Sequence, residues 1–227
     1  MHSIFDVIGP IMIGPSSSHT AGAARLARVA MELASRPFTH VSFGLHGSFF
    51  DTYRGHGTDL ALLAGALGLR EDDESIRDAV EIAAKTGLTY DYHRVALDDV
   101  HENSVEITFH LVGGDSFRVI GSSVGGGQIL IRRVGDLPTS FSANLPTLLV
   151  EHLDRRGMIS EITQVLGTAG INIGTMRTRR RAKGDYAACV VETDEPIPSA
   201  VLSQITALAD VYSAKVVNLS EGVSTHV

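Results

Sequence analysis

Two short glycine-framed segments hold the residue types from which a small polar site can be built. The first is Gly14, Pro15, Ser16, Ser17, Ser18, His19 and Thr20, where the downstream pattern marks the start of a helix. The first N–H groups of a helix lack intrahelical acceptors and carry partial positive charge, so this junction attracts a carboxylate or phosphate. The hydroxyls of Ser16, Ser17, Ser18 and Thr20 add donors around the same point. The same residues also read as a helix cap with spare hydroxyls, because serine is favoured at the N-cap. The second segment is Gly55, His56, Gly57, Thr58 and Asp59. Its glycines permit unusual dihedrals and close backbone approach. Thr58 or Asp59 can cap the helix that follows. An imidazole held at such a junction can serve as a general base near neutral pH, and it can equally be a solvated loop histidine.

Other chemistries find less support. Adjacent Ser18 and His19 would point apart at a helix start, which argues against a serine–histidine hydrolase. His40, His46, His93, His101 and His110 show no paired ligand spacing, so no metal site is expected from this chain alone. His46 lies near the end of a strand leading towards His56 and is placed to line a site there. The single cysteine, Cys189, excludes an intramolecular disulfide and cannot supply the several thiolates of a zinc or iron–sulfur centre. With 19 basic and 26 acidic residues the net charge is -7, against nucleic-acid binding. The basic run at 177–183 is short and reads as a solvated hairpin edge. No run approaches the roughly 20 apolar residues needed to cross a bilayer, and the first residues lack a basic leader, so a cytoplasmic location is expected with no membrane partner.

The elements that must position these segments follow from periodicity. At 227 residues and 44% hydrophobic, the chain can form one large or two ordinary domains with buried cores. Residues 21–36 fit an amphipathic helix with Arg25, Arg28, Glu32 and Arg36 on one face. A strand is expected over 39–48, a buried helix over 58–67, and a surface helix over 73–86 ended by Gly87. Val105, Ile107, Phe109 and Leu111 alternate with polar residues as in a half-buried strand. Strands over 116–122 and 128–134 flank Gly125, Gly126 and Gly127 as a hairpin. Residues 135–146 break all periodicity and contain Pro138 and Pro146, so they read as a linker, with domains at 1–142 and 143–227. The first domain is α+β. The second runs strand 147–153, helix 158–169, strand 171–179, strand 185–193, helix 198–208 and strand 211–219, a βαββαβ split sandwich.

In that second domain, Leu149 to Ile159 followed by Val165 to Ile173 resembles an ACT domain, with its helix-opening Gly157 and the turn into Asn172 and Ile173. The resemblance implies a ferredoxin-like fold, side-by-side pairing into a homo-oligomer, and effector contacts at Asp154, Gly157, Met158, Asn172 and Ile173. More broadly, Phe5, Asp6, Val7, Ile8, Gly9 and Pro10 leading into the 14–20 segment, then Gly47 and Ser48, then 55–59 and the ACT domain, resemble the beta subunit of bacterial iron–sulfur-dependent L-serine dehydratase. That resemblance implies an allosteric-substrate-binding-like first domain, also similar to one in some phosphoglycerate dehydrogenases. It implies an alpha-subunit partner carrying a [4Fe-4S] cluster, whose iron would activate the β-hydroxyl of L-serine. By motif, His56 becomes the candidate base, with Ser16, Ser17, Ser18, His19 and Thr20 as substrate-binding candidates. A rival reading makes the chain a non-catalytic regulatory subunit that binds an amino acid through both domains; it needs donors but no base.

Overall fold

A computed structural model describes residues 13–218, so the motif at 5–10 lies outside the described residues. Internal contacts divide the chain into two compact units, with the division between Ser142 and Ala143.

In the first unit a π-helical turn, Ser17–Gly22, runs directly into α1 (Ala23–Ala34). Next come β1 (Phe38–His46), α2 (Ser48–Thr52) and α3 (Thr58–Ala66). A 3-10 turn, Glu74–Asp78, precedes α4 (Ala79–Thr86), which Gly87 ends. Five strands complete the unit: β2 (Thr89–Arg94), β3 (Ser104–Leu111), β4 (Ser116–Gly125), β5 (Gln128–Val134) and β6 (Leu137–Phe141). The sheet order is β2-β1-β3-β4-β5-β6. Only β1 and β2 pair in parallel; the other neighbours are antiparallel. A parallel pair requires a crossover, and α2, α3 and α4 supply it.

The core follows from alternation in the strands. Val41, Phe43 and Leu45 of β1 and Val105, Ile107 and Phe109 of β3 are buried, as are Leu26, Val29 and Leu33 of α1 and Leu62 and Leu63 of α3. Burial of each large side chain contributes roughly 1.5–3 kcal/mol before entropy is counted. α1 and α3 approach closely because Gly65 has no side chain. A Cβ there would stand 2.8 Å from that of Ala27 and press on the Ala24 carbonyl.

Local departures from the sequence reading have physical causes. The expected polar face of the first helix is not solvated, because α1 packs against α3, β3, β4 and β5. Arg28 is only 4% exposed, and its Nη2 donates to Glu71 Oε2 at 3.3 Å. Arg36 falls outside the helix and pairs with Asp115 at 3.3 Å. The expected linker at 135–146 contains an ordered strand, β6. Thr139 and Phe141 are buried, and Pro138 is tolerated because β6 is an edge strand. The helix expected over 73–86 is split, its 3-10 portion capped by Asp73, which accepts from the Ser75 N–H at 2.8 Å. β2 and α2 lie where no element was expected.

The second unit contains β7 (Thr147–Leu153), α5 (Met158–Thr168), β8 (Ile173–Arg180), β9 (Tyr186–Thr193), α6 (Ser199–Thr206) and β10 (Val211–Val217). Its sheet order is β10-β7-β9-β8, antiparallel throughout. β9 therefore lies between β7 and β8, the two strands that α5 connects, giving the expected split βαββαβ arrangement. Leu148, Val150, Met158, Ile162, Leu166, Cys189, Val191, Val201 and Ile205 form its core.

Candidate active site

The two glycine-framed segments meet in the first unit. Ser16 is the N-cap of the π-helical turn: its Oγ accepts from the His19 N–H at 3.1 Å, and its carbonyl accepts from the Thr20 N–H at 2.9 Å. Thr20 is 2% exposed and donates its hydroxyl to the His56 carbonyl at 3.1 Å. One part-buried hydrogen bond thus fixes the second segment against the first. Ser17 and Ser18 are half-buried in the same turn.

His19 and His56 come together across this contact, with ring centroids 4.9 Å apart. Phe49 of α2 packs edge-on against the His19 ring at 5.2 Å, and His19 Nε2 lies 3.3 Å from Ser48 Oγ. Burial lowers the His19 pKa from its ordinary value, and positive charge on His56 lowers it further, against an opposing hydrogen bond with Ser48. His19 is therefore held as a neutral imidazole near pH 7. His56 is exposed, and its Nδ1 lies 3.3 Å from the Thr52 carbonyl. A carbonyl only accepts, so Nδ1 carries the proton and Nε2 keeps a free lone pair.

The loop before α3 does not use the cap expected of it. Gly57 occupies the N-cap in the left-handed region, φ 67°, with no side-chain cap bond. The Thr58 N–H instead donates to the Tyr53 carbonyl at 2.8 Å, and the buried Thr58 Oγ1 has no hydrogen-bond partner. This winding opens a cleft of about 530 Å³ lined by Asp51, Thr52, Tyr53, Arg54, Gly55 and His56. Sequence reasoning missed Asp51 and Arg54; their only signal was proximity to His56. His46 is engaged elsewhere, its Nδ1 accepting from the Leu97 N–H at 3.1 Å.

The residues present do not fit an iron–sulfur cluster. Cys189, the chain's one cysteine, is buried in the core of the second unit, and burial pushes its thiol pKa up. Among the described residues no group of three or more His, Cys, Asp or Glu side chains is arranged to hold a metal ion.

In the second unit the proposed effector residues are largely engaged within the chain. Met158 is fully buried in the core and Ile173 packs against it. Asp154 Oδ2 accepts from the Gly184 N–H at 3.0 Å and from Arg180 at 3.3 Å, which lowers its pKa. The Asn172 amide donates to Asp194 at 2.6 Å and its backbone N–H to Glu195 at 2.7 Å. Gly157 is exposed at the N-terminus of α5. Beside it, Arg155 makes two bonds to Glu161, at 2.7 and 2.9 Å, and one to Asp210 at 2.6 Å.

The family pattern described as serine dehydratase beta chain matches residues 3–133, and the ACT domain pattern matches residues 146–210. The chain is 39% identical over 219 residues to the L-serine dehydratase, beta chain, of Peptoniphilus asaccharolyticus, covering 96% of this chain and 99% of that protein. It is 39% identical over 209 residues to the probable L-serine dehydratase, beta chain, of Bacillus subtilis, covering 92% of this chain and 94% of that protein. The chain is 28% identical over 153 residues to the D-3-phosphoglycerate dehydrogenase of Mycobacterium bovis, covering 66% of this chain and 29% of that protein. With the beta-chain pattern over most of the first unit, the ACT pattern in the second and near-full-length relatives, the chain belongs to the serine dehydratase beta-chain family.

Proposed function

We propose that this chain is the beta subunit of an L-serine dehydratase, which with a separate alpha subunit converts L-serine to pyruvate and ammonia. The observation that carries the reading is the Thr20–His56 contact, which brings the His19 ring within 4.9 Å of that of His56, a residue that lines the cleft. A regulatory anion site would need donors but no free imidazole nitrogen. His56 Nε2 is the base that takes the α-proton, while its Nδ1–H stays on the Thr52 carbonyl. Ser17 and Ser18 hold the substrate or complete the site at the subunit junction; Ser16 and Thr20 act by fixing the two segments. Loss of the α-proton and of the β-hydroxyl gives aminoacrylate. It tautomerises to an imine, and water hydrolyses the imine to pyruvate and ammonia.

The alpha subunit is the bearer of a [4Fe-4S] cluster, the group that would assist departure of the hydroxyl, since this chain has one cysteine only. The domains run 1–142 for the catalytic part and 143–227 for the ACT part. The ACT part pairs with a second copy, and Asp154, Gly157, Asn172 and Ile173 lie around any effector held at that pairing. The enzyme works in the cytoplasm; no helix among the described residues is long and apolar enough to cross a membrane.

The test is anaerobic co-expression with a cysteine-rich serine dehydratase alpha chain, followed by assay of pyruvate from L-serine. The complex is expected to make pyruvate, and His56→Gln is expected to abolish turnover while assembly persists. A complex that makes none sinks the reading. Full activity of the alpha chain alone would favour the regulatory role instead.

A further inference from the structure

The cleft that holds His56 also presents a cation with no carboxylate of its own. Arg54 lines this cleft, is exposed, and has no ion-pair partner among the described residues. Its neighbour Arg94 differs, lying over the Phe50 ring at 5.2 Å with Asp51 at 3.9 Å. The Arg54 guanidinium carbon sits 5.5 Å from the centroid of the Tyr53 ring. That ring is itself held in place, by Phe50 at 5.9 Å and Tyr92 at 5.8 Å. Tyr92 stacks on buried Phe43 at 5.1 Å and donates its hydroxyl to the Asp59 carbonyl of α3 at 2.7 Å. The platform is therefore tied to the core of the unit. A guanidinium laid on an aromatic ring keeps its N–H edge free, and that edge matches a carboxylate with two parallel hydrogen bonds.

We propose that Arg54 binds the α-carboxylate of the amino-acid substrate, holding the adjacent Cα–H towards His56 Nε2. The proposal rests on the serine dehydratase reading above and assigns the substrate-orienting cation to this chain. Gly55 is the only residue between the two. It has no side chain to intervene, and a Cβ there would meet nothing closer than the Thr52 carbonyl oxygen at 3.7 Å. Both residues line the same cleft, and in an α-amino acid the carboxylate and the acidic C–H share one carbon, so a clamp and a base in one cleft suit such a substrate.

Two measurements test it. Modification of Arg54 by an arginine-selective dicarbonyl, followed by peptide mass spectrometry on the assembled complex, is expected to slow with L-serine and not with L-serinamide, which lacks the carboxylate charge. In steady-state kinetics, Arg54→Gln is expected to lower the preference for L-serine over L-serinamide about 10- to 100-fold, the worth of a charge-assisted hydrogen bond. Arg54→Lys, which keeps the charge but not the fork, should recover part of it, with the deficit mainly in KM. Equal labelling with both compounds, or an unchanged preference in Arg54→Gln, overturns the proposal. Protection by L-serine in a complex that makes no pyruvate would leave the carboxylate site standing and remove the dehydratase reading. Pyruvate formation without protection would do the reverse.

Discussion

Removing the carboxylate of Glu71 should expose how much the first unit depends on one buried charge. Arg28 retains 4% of its side-chain exposure and Glu71 retains 18%, with Nη2 and Oε2 3.3 Å apart. Breaking a buried pair on one side leaves the other ion uncompensated, at about 3–5 kcal/mol. Because Glu71 keeps some contact with water, the lower end, about 3 kcal/mol, is expected for Glu71→Ala. At about 2–4 °C per kcal/mol for a unit of this size, its melting temperature should fall by about 6–12 °C. Replacing both partners, as Arg28→Met with Glu71→Leu, removes the desolvation cost together with the attraction. That double variant should lie close to the parent protein. Scanning calorimetry of the full chain reads both. A loss below about 1 kcal/mol in Glu71→Ala, or a double variant as unstable as the single one, would refute the view that the charge is trapped and not merely packed. The Glu71 backbone carbonyl also accepts from the Ile13 N–H at 3.1 Å, next to the serine-rich segment. Alanine keeps that carbonyl, so amide exchange at Ile13 should change little in Glu71→Ala.

Removing the neighbouring charge with His56→Gln should raise the titration midpoint of His19, followed by its ring protons in NMR; an unmoved midpoint would mean the two rings do not interact. The His19 pKa in the folded chain lies below its ordinary value of 6.5, so the unfolded chain binds the extra proton first and stability rises with pH. The first unit should lose stability as pH falls below about 6.5 through the folded midpoint, and His19→Gln should flatten that slope in denaturant titrations. Gly65→Ala should cost about 1–3 kcal/mol by forcing α1 from α3, read as a lower melting temperature. Leu166→Ala should cost about 2–5 kcal/mol in the second unit, read as a shift of its own calorimetric transition.

The βαββαβ unit was legible because its signals are local: apolar alternation in the strands, Gly157 before α5, and a tight turn before β8 all act over a few residues. The first unit was less so. The charged stripe on α1 is identical in sequence to that of a surface helix, and only the layers packed on each side of it turn Arg28 inward. β6 was hidden by its proline, whose meaning depends on lying at the sheet edge. β2 alternates Thr89, Asp91 and His93 with Tyr90 and Tyr92, a period-two pattern with too few aliphatic residues to declare itself. At the site, the residue types of both segments were visible, but the Thr20–His56 bond spans 36 positions and no spacing rule announces it. Arg54 could not be separated from any other loop arginine until its aromatic support was known.

The two units differ in what they leave open to a ligand. At α5, Arg155 is already held between Glu161 and Asp210, so a carboxylate arriving at Gly157 must compete with two carboxylates of the same chain. Asn172 is likewise bonded to Asp194 and Glu195. Both donors at that point thus already have acceptors within the chain. The edge strand β8 carries Arg177, Arg179 and Arg180, of which Arg180 is already paired with Asp154 at 3.3 Å. In the first unit, by contrast, the cleft keeps a free imidazole nitrogen and an arginine without an ion-pair partner among the described residues. On the proposal above, a small amino acid would meet in this cleft a cation with no ion-pair partner among the described residues, whereas Arg155 in the second unit is already joined to Glu161 and Asp210.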